Sequence, residues 1–200
     1  MKWHIFNKKK KSDTESPKNL SETSKAREVL AKYCTGDGLD IGFGGDPITP
    51  AAICIDLPER YARYKELPQH LHGDARQLHW FRNDCMDYVY SSHVLEDFEQ
   101  TEPVLKEWLR VLKPGGRLVL FLPDEQVYRE YCQTQGKPPN QHHIHENFGL
   151  KFIKDIIELK SLNVEIEHEA FPVGIYSFEL VLKKTGQRGS VWVKSELMQV

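Results

Sequence analysis

The segment GLDIGFGGDP, Gly38 to Pro47, constrains this 200-residue chain more than any other stretch. Leu39, Asp40 and Ile41 run into Gly42, Gly44 and Gly45, which reads as a buried strand ending in a tight turn where bare backbone can approach a ligand. A dinucleotide fingerprint would place a third glycine where Pro47 stands, so that a helix could pack closely and aim its N-terminus at a pyrophosphate. Only about ten residues then separate Gly42 from the next apolar run, close to the minimum for a parallel crossover and too few for a full helix. Without that helix the turn lacks the amide donors and dipole that a pyrophosphate wants, so a ligand without phosphate is favoured. No G-K-[ST] follows, which removes the phosphate-loop reading.

The rest of the chain alternates strands and helices. SETSKAREVLAKYC spaces Ala26, Val29, Leu30 and Tyr33 at helical intervals, and AAICIDL reads as a strand ending at Asp56. PERYARYKEL reads as a helix and HLHGDA as a short strand ending at Asp74. MDYVYSSHV supplies a fourth strand. TEPVLKEWLRVL is a helix with Thr101 as N-cap and Val104, Leu105, Trp108, Leu109 and Leu112 on its apolar face. KPGG is expected to stop it before the strand RLVLFLP, whose continuous apolar run suits burial on both faces. GLKFIKDIIELK presents Phe152, Ile153, Ile156, Ile157 and Leu159 to the core, and NVEIEHEAF with YSFELVLKK reads as a closing antiparallel pair. This is the pattern of a parallel α/β sheet.

The domain is expected over residues 21–185, with a long polar insertion at 124–148 that holds Tyr128, Tyr131 and the run HHIHEN. Residues 1–20, with lysines at 8 to 11, read as a flexible, solvated basic tail. Residues 186–200 fit either a docked strand or a loose extension. The net charge of −2 gives no reason to expect nucleic acid, and no basic face interleaved with aromatics is visible outside the tail. No apolar run is long enough to span a bilayer and the N-terminus lacks a signal-peptide core, so a cytoplasmic protein is expected. The four cysteines are scattered singly, without metal-knuckle or disulfide spacing.

What remains is a nucleoside ligand held by glycine backbone at one end and carboxylates at the other. Asp56 is placed to accept from both ribose hydroxyls, and Asp74 from an exocyclic amine, with the Ala75 amide beside it. Here the residues resemble the class I S-adenosylmethionine-dependent methyltransferases, in particular the small type 11 group. LDIGFGGD, CIDL, GDARQLHW, DYVYSSHVLEDF and VLKEWLRVLKPGGRLVLFLPD match that group's motifs in order, from about Ala26 to Lys184. The resemblance implies a Rossmann-like, doubly wound seven-stranded sheet in the order 3-2-1-4-5-7-6, its last strand antiparallel; the shortened first crossover helix departs from that group's pattern. It implies S-adenosylmethionine as cofactor, with Asp40, Gly42 and Gly44 shaping the methionine end. Asp56 takes the ribose, Leu57 packs on adenine, Asp74 and Ala75 read the adenine edge, and Ser92 and His93 lie beside the sulfonium. Asp46 departs from the group, many members having glycine there.

The activity implied is methyl transfer to a small-molecule acceptor, a sugar or other cell-surface precursor by analogy. A non-catalytic S-adenosylmethionine-binding module is the alternative, and Pro47 disfavours a nicotinamide oxidoreductase. A hydroxyl acceptor needs a base within hydrogen-bond reach. His93 is the first candidate, since strand ends face the ligand crevice, and His143 and His145 follow, with Glu96, Asp97, His142 and Glu146 nearby. His143, His145 and Glu146 also have the look of metal ligands on an extended segment, but no metal is expected. The sequence does not fix the acceptor atom or the oligomeric state.

Overall fold

A computed structural model describes residues 21–59 and 70–186. The expected tail (1–20), the PERYARYKEL helix from residue 60 onward and the extension from 187 lie outside the described residues. Helix α1 (Glu22–Leu30) is capped by Ser21, whose hydroxyl accepts from the Ser24 amide at 3.0 Å, and runs into a 3-10 turn at Ala31–Tyr33. There follow β1 (Gly38–Ile41), β2 (Ile53–Asp56), β3 (Leu71–His72) and β4 (Met86–Ser92). A 3-10 turn at Leu95–Asp97 precedes α2 (Thr101–Val111), β5 (Leu112–Pro123) and α3 (Glu125–Thr134). Helix α4 (Leu150–Leu159), β6 (Val164–Val173) and β7 (Ser177–Lys184) complete the chain's described part.

The strands form one seven-stranded sheet in the order β3-β2-β1-β4-β5-β7-β6. The pairs from β3 through β5 are parallel, and β7 runs antiparallel to both β5 and β6. Period-two alternation divides the side chains between two cores. Val89, Leu118, Leu120 and Leu122 pack with α2 and α4, whereas Tyr88, Tyr90, Val119 and Phe121 pack with Ala26 and Leu30 of α1. The first crossover, residues 42–52, contains turns but no helix, as its length requires.

Several local expectations are corrected. Gln100, not Thr101, occupies the N-cap position of α2, without a side-chain capping hydrogen bond, and Thr101 is the helix's buried first residue. Leu112 lies outside the helical face, opening β5 opposite Met86, and KPGG continues that strand through a bulge instead of forming a loop. Strand β3 ends at His72, two residues before Asp74. The 124–148 segment is not irregular throughout, since Asp124 caps α3 by accepting from the Val127 amide at 3.3 Å. Val29 is part exposed and Leu159 is 78% exposed, so neither joins the core.

Candidate functional site

The carboxyl ends of the parallel strands meet in one cavity of about 530 Å³, in the range of small-molecule sites. Its wall includes Gly42, Gly44, Asp56, Leu57, Asp74 and Ala75 at one end, and Ser92, His93, Asp97, Tyr128, His143 and Tyr176 at the other. This is the crevice at the ends of β1 and β4, where the sheet order reverses and ligands of open α/β sheets bind.

The glycine turn is held from behind. Gly42 adopts φ +70°, a left-handed conformation suited to glycine, and its amide donates to the Ile55 carbonyl at 2.8 Å. Asp46, the departure from the group's glycine, is buried, pairs with Arg27 at 2.9 Å and accepts from the Ser21 hydroxyl. Arg27 also donates to the Pro47 carbonyl at 3.1 Å. Helix α1 therefore fastens the turn that a crossover helix would otherwise support.

Asp40 lies behind the turn instead of on the cavity wall. It is buried and accepts from the Ile48 amide at 2.6 Å, which fixes the chain just beyond the glycines. Burial pushes its carboxyl up to about 7, against the opposing pull of the Ile48 hydrogen bond and Arg27. The folded state thus binds a proton that the unfolded chain releases between about pH 4 and 7. Wild-type stability should fall relative to Asp40→Asn as pH rises through that window. Urea midpoints for both proteins at pH 4.5 and 7.5 test this, and a constant difference would refute it.

At the β2 end of the cavity, Asp56 closes the strand and accepts from the Gly44 amide at 3.1 Å and the Leu57 amide at 2.8 Å. Leu57 is 55% exposed and presents an apolar face at the cavity mouth. Asp74 is forked onto Arg76, with contacts from 2.6 to 3.0 Å, and that partner holds its carboxyl below the usual range. The Ala75 carbonyl is engaged by the Trp108 indole at 2.8 Å.

The other end is a buried polar cluster. His93 sits at φ +52°, with its amide donating to the Phe121 carbonyl at 2.9 Å. Its ring stands 3.6 Å from Glu96, 3.5 Å from Glu22 and 3.3 Å from the Ser177 hydroxyl, and burial pushes it down to about 3. His143 bonds Glu125 through Nδ1, and Arg129 Nε holds the second Glu125 oxygen at 3.1 Å. Tyr128 packs against the His143 ring, with centroids 4.9 Å apart, and against Tyr176 at 5.0 Å. Burial and the hydrogen bond to Cys132 push the Tyr128 hydroxyl up to about 12.

His145 is a correction. Its Nε2 donates to the Phe98 carbonyl at 2.7 Å and its ring packs by Phe148 and Phe152, away from the cavity wall. His143 meets Glu125 and Glu96 while His145 meets Phe98, Phe148 and Phe152, so the two do not serve one ligand set, and Glu146 is exposed. Glu96 and Glu125 are more central than the sequence suggested: both are fully buried and both face His143. Glu125 opens α3 at its capping signal, but its pairing with a residue 18 positions away has no local signature.

Residues 23–120 match a family model described as a methyltransferase domain. Among curated proteins, the chain is 38% identical over 74 residues to the demethylmenaquinone methyltransferase of Streptomyces avermitilis, covering 34% of this chain and 31% of that protein. It is 26% identical over 145 residues to the malonyl-[acyl-carrier protein] O-methyltransferase of a Marinomonas species, covering 68% and 53%. The chain thus spans about a third to a half of the length of these relatives. Among solved structures, the PH0226 protein of Pyrococcus horikoshii OT3 superposes with a TM-score of 0.63 at 23% identity, over 86% of this chain and 94% of that one. A Thermotoga maritima protein described as an S-adenosylmethionine-dependent methyltransferase superposes at 0.58 with 21% identity, over 82% and 88%. These likenesses establish the fold. The sheet order, the crevice at its reversal and the match over residues 23–120 agree: the chain carries a methyltransferase domain, similar in sequence motifs and fold to the class I S-adenosylmethionine-dependent methyltransferases of the type 11 group.

Proposed function

We propose that this chain binds S-adenosylmethionine across the ends of β1 to β4 and methylates a small-molecule acceptor held at the His93–His143 end. The observation that carries this is the single cavity joining the Asp56–Asp74 end to the buried polar cluster. The residues present fit the cofactor: glycine backbone, a strand-end carboxylate already oriented by two amides, and an exposed leucine for a flat base. When bound, the cofactor supplies an activated methyl group.

The chain's own work is positioning and proton management. Asp56 orients the ribose, Leu57 covers the base, and Tyr128 and Tyr176 wall the acceptor end. His93 stays neutral at physiological pH and, with its pKa pushed so low, is a poor proton acceptor there. It serves better as a fixed hydrogen-bond group. His143 is oriented more tightly, because Glu125 engages its Nδ1 and leaves Nε2 toward Glu96. An acceptor hydroxyl would lose its proton within this cluster.

The relatives name a menaquinone precursor and a malonyl-acyl carrier, so they give the sugar acceptor expected from the sequence no support. A module that only senses the cofactor would have no use for a buried cluster at the acceptor end. Calorimetric titration with S-adenosylmethionine and its demethylated product tests the assignment. Asp56→Ala should weaken both at least tenfold, about 1.4 kcal/mol. Folded wild-type protein that binds neither would end the proposal.

A further inference from the structure

Glu96 is 0% exposed, and neither carboxylate oxygen has a hydrogen-bond partner among the described residues. It lies in the Leu95–Asp97 turn just after β4, with its Oε1 3.5 Å from His143 Nε2. Asp97 brings a further carboxylate, whose Oδ1 is also buried and unpartnered, and the three donor atoms lie within 4.8 Å of one another. On the far side of the ring, Nδ1 is engaged by Glu125, itself held by Arg129.

That hydrogen bond places the ring proton on Nδ1 and turns the Nε2 lone pair toward the Glu96 carboxylate, whose Oε1 also stands 3.6 Å from His93 Nδ1, beyond hydrogen-bond reach. Two acceptors facing each other in a buried site repel unless a proton or a cation lies between them. A hydrogen bond from a protonated Glu96 would bring oxygen and nitrogen to about 2.7–3.0 Å. Two ligands about 2.1 Å from one ion at a tetrahedral angle stand roughly 3.4 Å apart, close to the 3.5 Å observed. The outer contact fits as well, because metal-bound imidazoles commonly donate their second N–H to a carboxylate.

We propose that Glu96, Asp97 and His143 hold a divalent transition-metal ion at the acceptor end of the cavity. One imidazole and two carboxylates suit zinc or manganese better than calcium or magnesium. Asp97 lines the cavity, so a ligand position faces the space where the acceptor enters. An acceptor hydroxyl bound there forms an oxygen–metal bond as its O–H bond breaks, the proton leaving to water. Glu125 is then a positioning residue for His143. The role given to the ion rests on the methyl-transfer reading; its binding does not.

The test uses the full chain, freed of any affinity tag and stripped with a chelator, titrated with Mn²⁺ and followed by the paramagnetic resonance of the free ion. One saturable site in the micromolar range is expected, displaced by Zn²⁺. Glu96→Gln and His143→Ala should each weaken it at least tenfold, and Glu125→Gln about tenfold. Circular dichroism confirms folding, and calorimetry with S-adenosylmethionine on the same samples keeps the two readings apart. Cofactor binding without manganese uptake overturns the ion site alone, as does manganese uptake that the variants leave unchanged. Manganese uptake without cofactor binding supports the ion site and defeats the methyltransferase assignment.

Discussion

Trp108→Ala should destabilise the domain by about 3–5 kcal/mol, a large share of the 5–15 kcal/mol typical of native proteins. The indole is fully buried in the core between α2 and the sheet, and meets Phe98 edge-on at 6.5 Å between centroids. Truncation removes the ring and leaves a cavity that packed neighbours fill only in part. It also strips the Ala75 carbonyl of its donor at 2.8 Å, so the damage extends to the loop that carries Asp74. Trp108→Phe separates these effects, since it keeps most of the ring but leaves the carbonyl bare, at a cost of about 1–3 kcal/mol. Urea unfolding of the three proteins measures both steps. A loss below about 1 kcal/mol for the alanine variant would mean that the helix docks by other contacts.

Gly42→Ala should be nearly as damaging, with the effect centred on the ligand cavity. At φ +70° an alanine pays about 1–2 kcal/mol for a left-handed backbone. Its Cβ would also stand 2.2 Å from Val94 Cγ2, an overlap that forces one segment to move. Overpacking of this kind costs about 1–3 kcal/mol. Because Gly42 and Val94 both border the cavity, cofactor affinity should fall together with stability. Adding Val94→Ala removes the obstructing methyl but not the backbone strain, so stability should recover in part and stop about 1–2 kcal/mol short of wild type. No recovery in the double variant would show that the valine contact is not the cause.

The features legible in the sequence were those written in short-range patterns. Strand ends at Ile41 and Asp56, the helix-free crossover and the closing β6–β7 hairpin follow from apolar runs, glycines and spacing, and all are present. The grouping of Gly42, Gly44, Asp56, Leu57, Asp74 and Ala75 on one cavity wall was legible for the same reason, because they sit at or just beyond strand ends. The His93–His143 end was not. Glu96 stands in a turn after β4, Glu125 in the first turn of α3 and His143 in an irregular loop, and only the tertiary fold brings them together. His145 lost its expected place because local spacing assumed an extended chain, while the Phe98 carbonyl offered its ring a partner elsewhere. KPGG carries a strong turn propensity that the register of β5 against β4 overrides.

Strand β6 forms one rim of the sheet, and its irregularities bear on how this protein behaves when crowded. An open rim offers unpaired amides and carbonyls to any other chain in extended form, the route by which sheets polymerise. Here Glu165, Glu167 and Glu169 line the rim strand, Pro172 removes one donor, and register shifts at Ile166/His168 and Ala170/Val173 break its regularity. Arg117 and Lys154 tie Glu167 and Glu169 back to the same molecule, so these acids are held in place. At the opposite rim, β3 is only two residues long. Among the described residues, then, neither rim offers a long, regular template for an eighth strand.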